Sequence, residues 1–237
     1  MTDRLDNLLS RWVRLGAMYN VRSARKSPDI EVLLVDTLRF LPTFARLLPM
    51  TVTWLCQYDR LVCRHRLLHM AKSLSDQPYR ATLGLLLEMV HQTTSTDRFN
   101  LIIRQCTPLQ HPQPLFECDR QSPSLAALAQ QTTCDVGRHW GLWCRPIALK
   151  TDAIRPLAWI MDKNPSFQMR AIFSGNLRSS ILVMLAKDPN VGQSETALAR
   201  ACCATRKAVR EALDHLEFCR LVTCQVTGNF RRIRLLD

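Results

Sequence analysis

The clearest ordering of apolar and polar positions lies in residues 194–236. Leu198, Ala201 and Cys202 fall at helical spacing on one face of a short segment, and the Ser194 hydroxyl is placed to cap its opening turn. The pattern breaks at Cys203-Ala204 and restarts at Thr205, a second cap. Val209, Ala212, Leu213 and Leu216 then recur at i, i+3, i+4 and i+7, which predicts a helix with one buried stripe. Arg206, Lys207 and Arg210 lie off that stripe, facing solvent or a partner. Next comes a two-residue turn signal, Gly228-Asn229. With those residues as the loop, Thr227 pairs with Phe230, Cys224 with Ile233 and Val222 with Leu235. One face then carries Val222, Cys224, Val226, Ile233 and Leu235, with Arg231 beside Val226 at the tip. The other carries Thr223, Gln225, Arg232 and Arg234, so arginines are expected to project from the tip and outer face.

Helix, turn, helix and basic hairpin together resemble the winged helix-turn-helix domain of prokaryotic transcriptional regulators. The resemblance is carried by Ser194-Glu195-Thr196-Ala197-Leu198-Ala199-Arg200, by Thr205-Arg206-Lys207-Ala208-Val209-Arg210-Glu211-Ala212-Leu213, and by Leu216 and Leu221-Val222. Residues 176–187, with Leu177, Ile181, Met184 and Leu185 on one face, supply the domain's expected first helix. The likeness spans residues 170–237 and departs from the pattern at Cys219-Arg220, where glycine commonly precedes the Leu-Val of the first wing strand. It implies a helix starting at Thr205 that enters the major groove of double-stranded DNA. Arg206, Lys207 and Arg210 would contact base edges or phosphates, and Ser194 and Thr205 would bond phosphates near helix N-termini. Arg231, Arg232 and Arg234 would reach phosphates or the minor groove.

Upstream, the period is helical throughout. Residues 3–18 place Leu5, Leu8, Leu9, Trp12, Val13 and Leu15 at helical intervals, and a polar, basic link follows over 20–28. Asp29 caps a segment running to residue 48 that Pro42 interrupts. Residues 51–74 read as one long helix, with Trp54, Leu55, Tyr58, Leu61, Val62 and Leu68 inward and Arg60, Arg64, Arg66 and Lys72 outside. Residues 78–90 and 97–106 are two further helices, and 107–123, with four prolines, is a loop or surface strap. A short helix is expected over 124–132 and another over 157–161, while Trp140-Gly141-Leu142-Trp143 is placed on neither a helix nor a strand by its pattern. Asn164-Pro165 marks a junction. The expected architecture is mainly α: an α-helical domain over residues 1–165, then a winged helix-turn-helix domain over 166–237 with a small β-hairpin. A dimerisation surface and an effector pocket both suit the N-terminal bundle.

Composition sharpens this. The 237 residues are 47% hydrophobic and 22% charged, a globular balance, with a formal charge of +12 that favours a polyanionic partner. Residues 166–237 hold 11 basic and 6 acidic side chains, a net of +5. Residues 1–4 lead straight into an amphipathic helix, so no signal peptide is expected. The most hydrophobic region, 32–62, is interrupted by five charged residues, so no membrane span is expected and the chain reads as cytoplasmic. The ten cysteines are then expected as thiols.

Candidate metal chemistry centres on Cys106, His111, Cys118, Cys134, His139 and Cys144, with Cys134-x4-His139-x4-Cys144 the best set. No C-x2-C pair supports it, and Cys202-Cys203 reads as packing at the interhelical turn. No metal or other cofactor is expected. The sequence lacks Gly-x-Gly-x-x-Gly, P-loop, Gly-x-Ser-x-Gly and His-Glu-x-x-His motifs and has only seven glycines, so no catalytic residues are assigned. The chain is therefore expected to be a homodimeric, sequence-specific DNA-binding regulator, and not an enzyme. The alternative is a protein-interaction module that uses the same fold without reading DNA.

Overall fold

The computed structural model describes residues 2–227 and 230–236. Among these, fourteen α-helices run in the order α1 (Thr2–Arg14), α2 (Ile30–Phe40), α3 (Leu47–Tyr58), α4 (Arg64–Ser73), α5 (Gln77–Thr94), α6 (Asn100–Ile103) and α7 (Glu117–Arg120), then α8 (Pro123–Gln131), α9 (Asp135–Trp140), α10 (Leu157–Lys163), α11 (Phe167–Ile172), α12 (Leu177–Lys187), α13 (Glu195–Ala201) and α14 (Arg206–Phe218). The strands are β1 (Gln113–Pro114), β2 (Leu142–Trp143), β3 (Val222–Thr227) and β4 (Phe230–Leu235). β1 and β2 pair in parallel; β3 and β4 form an antiparallel hairpin. The chain is mainly helical, and no described helix is long and apolar enough to cross a membrane.

The chain divides into two compact units. One comprises Met1–Asp59 with Met70–Asn164, the other Arg60–His69 with Pro165–Asp237. The longer segment of the second unit starts at Pro165, and the unit also takes in ten residues from far upstream.

In the first unit, the apolar stripe of α1 buries Leu8, Leu9 and Trp12. Buried indoles cannot be left without an acceptor. Trp12 donates to Thr37 Oγ1 and Trp54 to the Leu15 carbonyl, each at 2.9 Å, and the two rings meet edge to face. α5 is apolar around most of its circumference and lies at the centre, burying Leu83, Leu85, Leu86, Leu87 and Val90. Asn164 closes the unit by donating to the carbonyls of Arg14 and Ile160. Trp140-Gly141-Leu142-Trp143 resolves into the last residue of α9, a left-handed Gly141 (φ 65°) and strand β2.

Residues 51–74 are not one helix. α3 ends at Tyr58, a 3-10 turn occupies Asp59–Leu61, and α4 starts at Arg64. The carbonyl of Asp59 accepts from Arg98 Nε and that of Leu61 from Arg170 Nη1, so tertiary donors replace the bonds that a continuous helix would make there. Arg66, expected outside, is buried.

The second unit has its own core. Ile181, Leu182 and Leu185 of α12, Leu198 and Ala199 of α13, Val209, Ala212, Leu213 and Leu216 of α14, and Val222 and Ile233 of the hairpin pack together around Cys202. The stripe read from the sequence is thus the buried face of α14. His65, at the opening of α4, reaches this core: its Nε2–H donates to the Cys202 carbonyl at 3.0 Å, and Nδ1 accepts from the Cys63 thiol at 3.1 Å. Sequence periodicity alone gives no sign of this insertion.

Candidate nucleic-acid interface

The α13–α14 turn is built by caps at both ends. Ser194 Oγ accepts from Ala197 N at 3.1 Å, and Thr205 Oγ1 from Ala208 N at 3.2 Å, satisfying amides that each first turn leaves unpaired. Between them α13 closes with the paired bonds Cys203 N to Arg200 O and Ala204 N to Ala199 O. These are the two bonds of a Schellman motif, whose left-handed position is held here by Cys203 at φ 53°. Cys202 fills the helix contact with no exposure at all.

The second helix ends in the same way. Arg220 N bonds Glu217 O and Leu221 N bonds Leu216 O, both at 2.9 Å, with Arg220 at φ 54°. The residue that replaces the expected glycine therefore adopts the conformation glycine would serve, and the chain turns directly into β3. The hairpin register is Val222↔Leu235, Cys224↔Ile233 and Thr227↔Phe230, as the alternation predicts. The turn residues Gly228-Asn229 lie outside the described residues.

The basic side chains separate into two groups. Arg206 and Lys207 on α14, and Arg232 and Arg234 on β4, are exposed, and among the described residues none of the four makes a side-chain hydrogen bond or ion pair. Thr205 is exposed beside Arg206, and Ser194 is half-buried with its hydroxyl engaged as a cap. Arg232 and Arg234 border a groove of about 530 Å³ lined also by Leu185, Pro189, Asn190 and Gln193. The 3-10 turn Pro189–Gln193 that forms its wall is invisible to periodicity, but Gly192 marks it. A Cβ on Gly192 would stand 2.1 Å from the Ile233 carbonyl oxygen, so only glycine lets this turn lie against β4.

Arg210 and Arg231 are turned back onto the protein. Arg210 makes a two-pronged contact with Glu195, Nε to Oε1 at 3.3 Å and Nη2 to Oε2 at 2.8 Å. Arg231 lies 3.1 Å from Asp214, 2.9 Å from Glu217 and 3.6 Å from Glu195, with its side chain 20% exposed. Its contacts with Asp214 and Glu217 turn it toward α14, so it does not project outward. Glu195 is the hub, joining α13 to α14 and β4 at 8% side-chain exposure. The Arg210 guanidinium, with Arg231 and Arg206 nearby, holds its carboxyl below the usual glutamate range. In the sequence Glu195 is only an acid in a first turn, and nothing local distinguishes it as a clamp.

The candidate metal set is only partly brought together. Cys134 and Cys144 approach to 3.9 Å between sulfurs, whereas the exposed His139 ring lies against Trp140 with Nε2 3.8 Å from Glu88. Among the described residues no group of three or more His, Cys, Asp or Glu side chains could hold a metal ion.

Comparison with protein-family models, with curated proteins and with solved structures gives no match.

Proposed function

We propose that the chain is a sequence-specific, double-stranded-DNA-binding transcriptional regulator whose second unit is a winged helix, acting as a homodimer. The observation that carries this reading is the pairing of two outward basic surfaces. Arg206 and Lys207 stand on the first turn of a capped, exposed α14, and Arg232 and Arg234 on the outer face of the adjoining hairpin. A helix with its buried stripe inward and its first turn basic suits the major groove, and a basic hairpin beside it suits flanking phosphates. Arg210 and Arg231 take another role in this reading. They fix the angle between α13, α14 and the wing through Glu195, and so set where the four outward cations fall. Ser194 and Thr205 serve first as caps, with hydroxyl protons left to donate to phosphate. Homodimerisation would present two α14 helices at a fixed separation to a two-fold-related site.

The test is selection of genomic fragments by the purified chain, followed by anisotropy titration of the selected duplexes. Loss of a base contact in Arg206→Ala or Lys207→Ala should cost about 1–3 kcal/mol on the preferred site and less on random duplex. Unchanged affinity in both variants, with normal melting, would remove α14 from the interface. A second reading, a protein-interaction module, is favoured by Phe218, whose ring at the end of α14 is 87% exposed. Under that reading Phe218→Ala abolishes capture of a partner protein and DNA affinity stays at the non-specific level.

A further inference from the structure

The first unit holds a pair of thiols that the DNA-binding reading does not use. Cys134 precedes α9 and Cys144 follows β2, and the fold returns one to the other: Cys134 N donates to the Cys144 carbonyl at 2.9 Å, and the two sulfurs stand 3.9 Å apart. The approach depends on Gly137. A Cβ there would lie 3.2 Å from Cys144 Sγ, 2.9 Å from Thr133 Cγ2 and 2.8 Å from the Leu142 carbonyl oxygen. With only hydrogen in that place, Gly137 N instead donates to Cys134 Sγ at 3.4 Å. Cys134 is half-buried and Cys144 buried, so Cys134 is the more accessible of the two thiols.

We propose that Cys134 and Cys144 form a redox-active dithiol, oxidised by hydroperoxides to an intramolecular disulfide. The Cys134 thiolate attacks the peroxide, forming an S–O bond as the O–O bond breaks. The departing oxygen takes up a proton and leaves as water or an alcohol. Cys144 sulfur then attacks Cys134 sulfur; the S–S bond forms, the S–O bond breaks, and the hydroxyl leaves as water with the Cys144 proton. The two thiols supply the two electrons that reduce the peroxide, and exchange with a small dithiol restores them. Closure needs the sulfurs to move from 3.9 Å to about 2.05 Å, a shift within side-chain rotation when the backbones are already bonded. The electrostatics agree with this division of labour. Donation from the Cys144 thiol and then from Gly137 N holds the Cys134 thiol below its usual range, while the hydrogen bond to Cys134 and then burial push Cys144 up.

The test uses the full chain, reduced and then freed of reductant. It is treated with about one equivalent of hydrogen peroxide, alkylated under denaturing conditions and mapped without reduction. Two of the ten thiols should be lost, in one disulfide joining the Cys134 and Cys144 peptides. Dithiothreitol should return both. Cys144→Ser should stop at a sulfenic acid on Cys134 that dimedone traps. Cys134→Ser should slow peroxide-dependent thiol loss about tenfold or more at neutral pH. A disulfide to Cys118, which borders the same cavity as Cys144, would overturn the proposal. So would oxidation spread over several cysteines, or no thiol loss. The wild-type map decides even if a variant fails to fold.

Discussion

At Arg220 the backbone turns through φ 54°, a region in which a Cβ crowds the following carbonyl. The residue is exposed and its backbone N–H is bonded, so the turn gains nothing local from the side chain. Relief of the left-handed strain is worth about 1–2 kcal/mol, and the added freedom of the unfolded chain takes back about 0.4–1 kcal/mol. Arg220→Gly should therefore stabilise the chain by about 0.5–1 kcal/mol, whereas Arg220→Ala should not, and urea melts of the two distinguish them. His65 gives a second residue-scale test. Burial, together with the charges of Arg66, Arg170 and Arg64, outweighs its bond to the Cys202 carbonyl and lowers the imidazole to about 4. The folded state then favours the neutral ring. Its contribution is fully present above the ordinary value of 6.5 and is lost as pH falls from there toward 4. Melting temperature should drop across that window in the wild type, and His65→Gln should flatten the drop. An equal drop in both would assign the acid sensitivity to other groups.

Among the elements, α14 is where the packing residues and the outward basic residues separate. Leu213 is fully buried in the core of the second unit, so Leu213→Ala should cost about 2–5 kcal/mol, measured by chemical denaturation. Arg210 and Arg206 sit four residues apart on the same helix yet should behave differently. Arg210→Ala leaves the Glu195 carboxylate without its closest cation and should lower the melting temperature; Arg206→Ala should leave it unchanged. If both variants melt like the wild type, the Glu195 clamp does not hold these elements together. This division marks the limit of what a period can tell. The stripe Val209–Ala212–Leu213–Leu216, the caps Ser194 and Thr205 and the hairpin register are local or one-dimensional signals, and all appear in the structure. Which charged groups on an exposed face turn back to the protein depends on a carboxylate fifteen residues away, and no spacing announces it. The long helix expected over 51–74 failed for a related reason. Its apolar period continues through the break, while the donors that end it come from Arg98 and Arg170, distant in sequence.

For the whole molecule, the division into units changes where the charge lies. With Arg60, Arg64 and Arg66 included, the second unit carries 14 basic and 6 acidic residues, a net of +8 out of the chain's +12. Residues 166–237 alone account for +5, so the upstream segment supplies the difference by three-dimensional placement. A cation-rich compact unit favours a polyanion, and salt dependence measures how many of its cations reach phosphate. Each neutralised phosphate contributes about −0.9 to the slope of log affinity against log salt on duplex DNA. Arg232 and Arg234 are exposed on the outer face of the hairpin and hold no structural pair among the described residues. Their joint replacement by alanine should therefore leave melting unchanged and flatten the slope by about one to two units between roughly 50 and 200 mM salt. Arg231→Ala provides the contrast. Its charge is spent on Asp214, Glu217 and Glu195, so its loss should lower the melting temperature more than it alters the slope. Were the double variant to keep the wild-type slope, the hairpin would lie off the phosphates and the wing would have to be withdrawn from the DNA-binding proposal. A flattened slope in Arg231→Ala at unchanged melting would instead mean that its carboxylate partners release it to the nucleic acid.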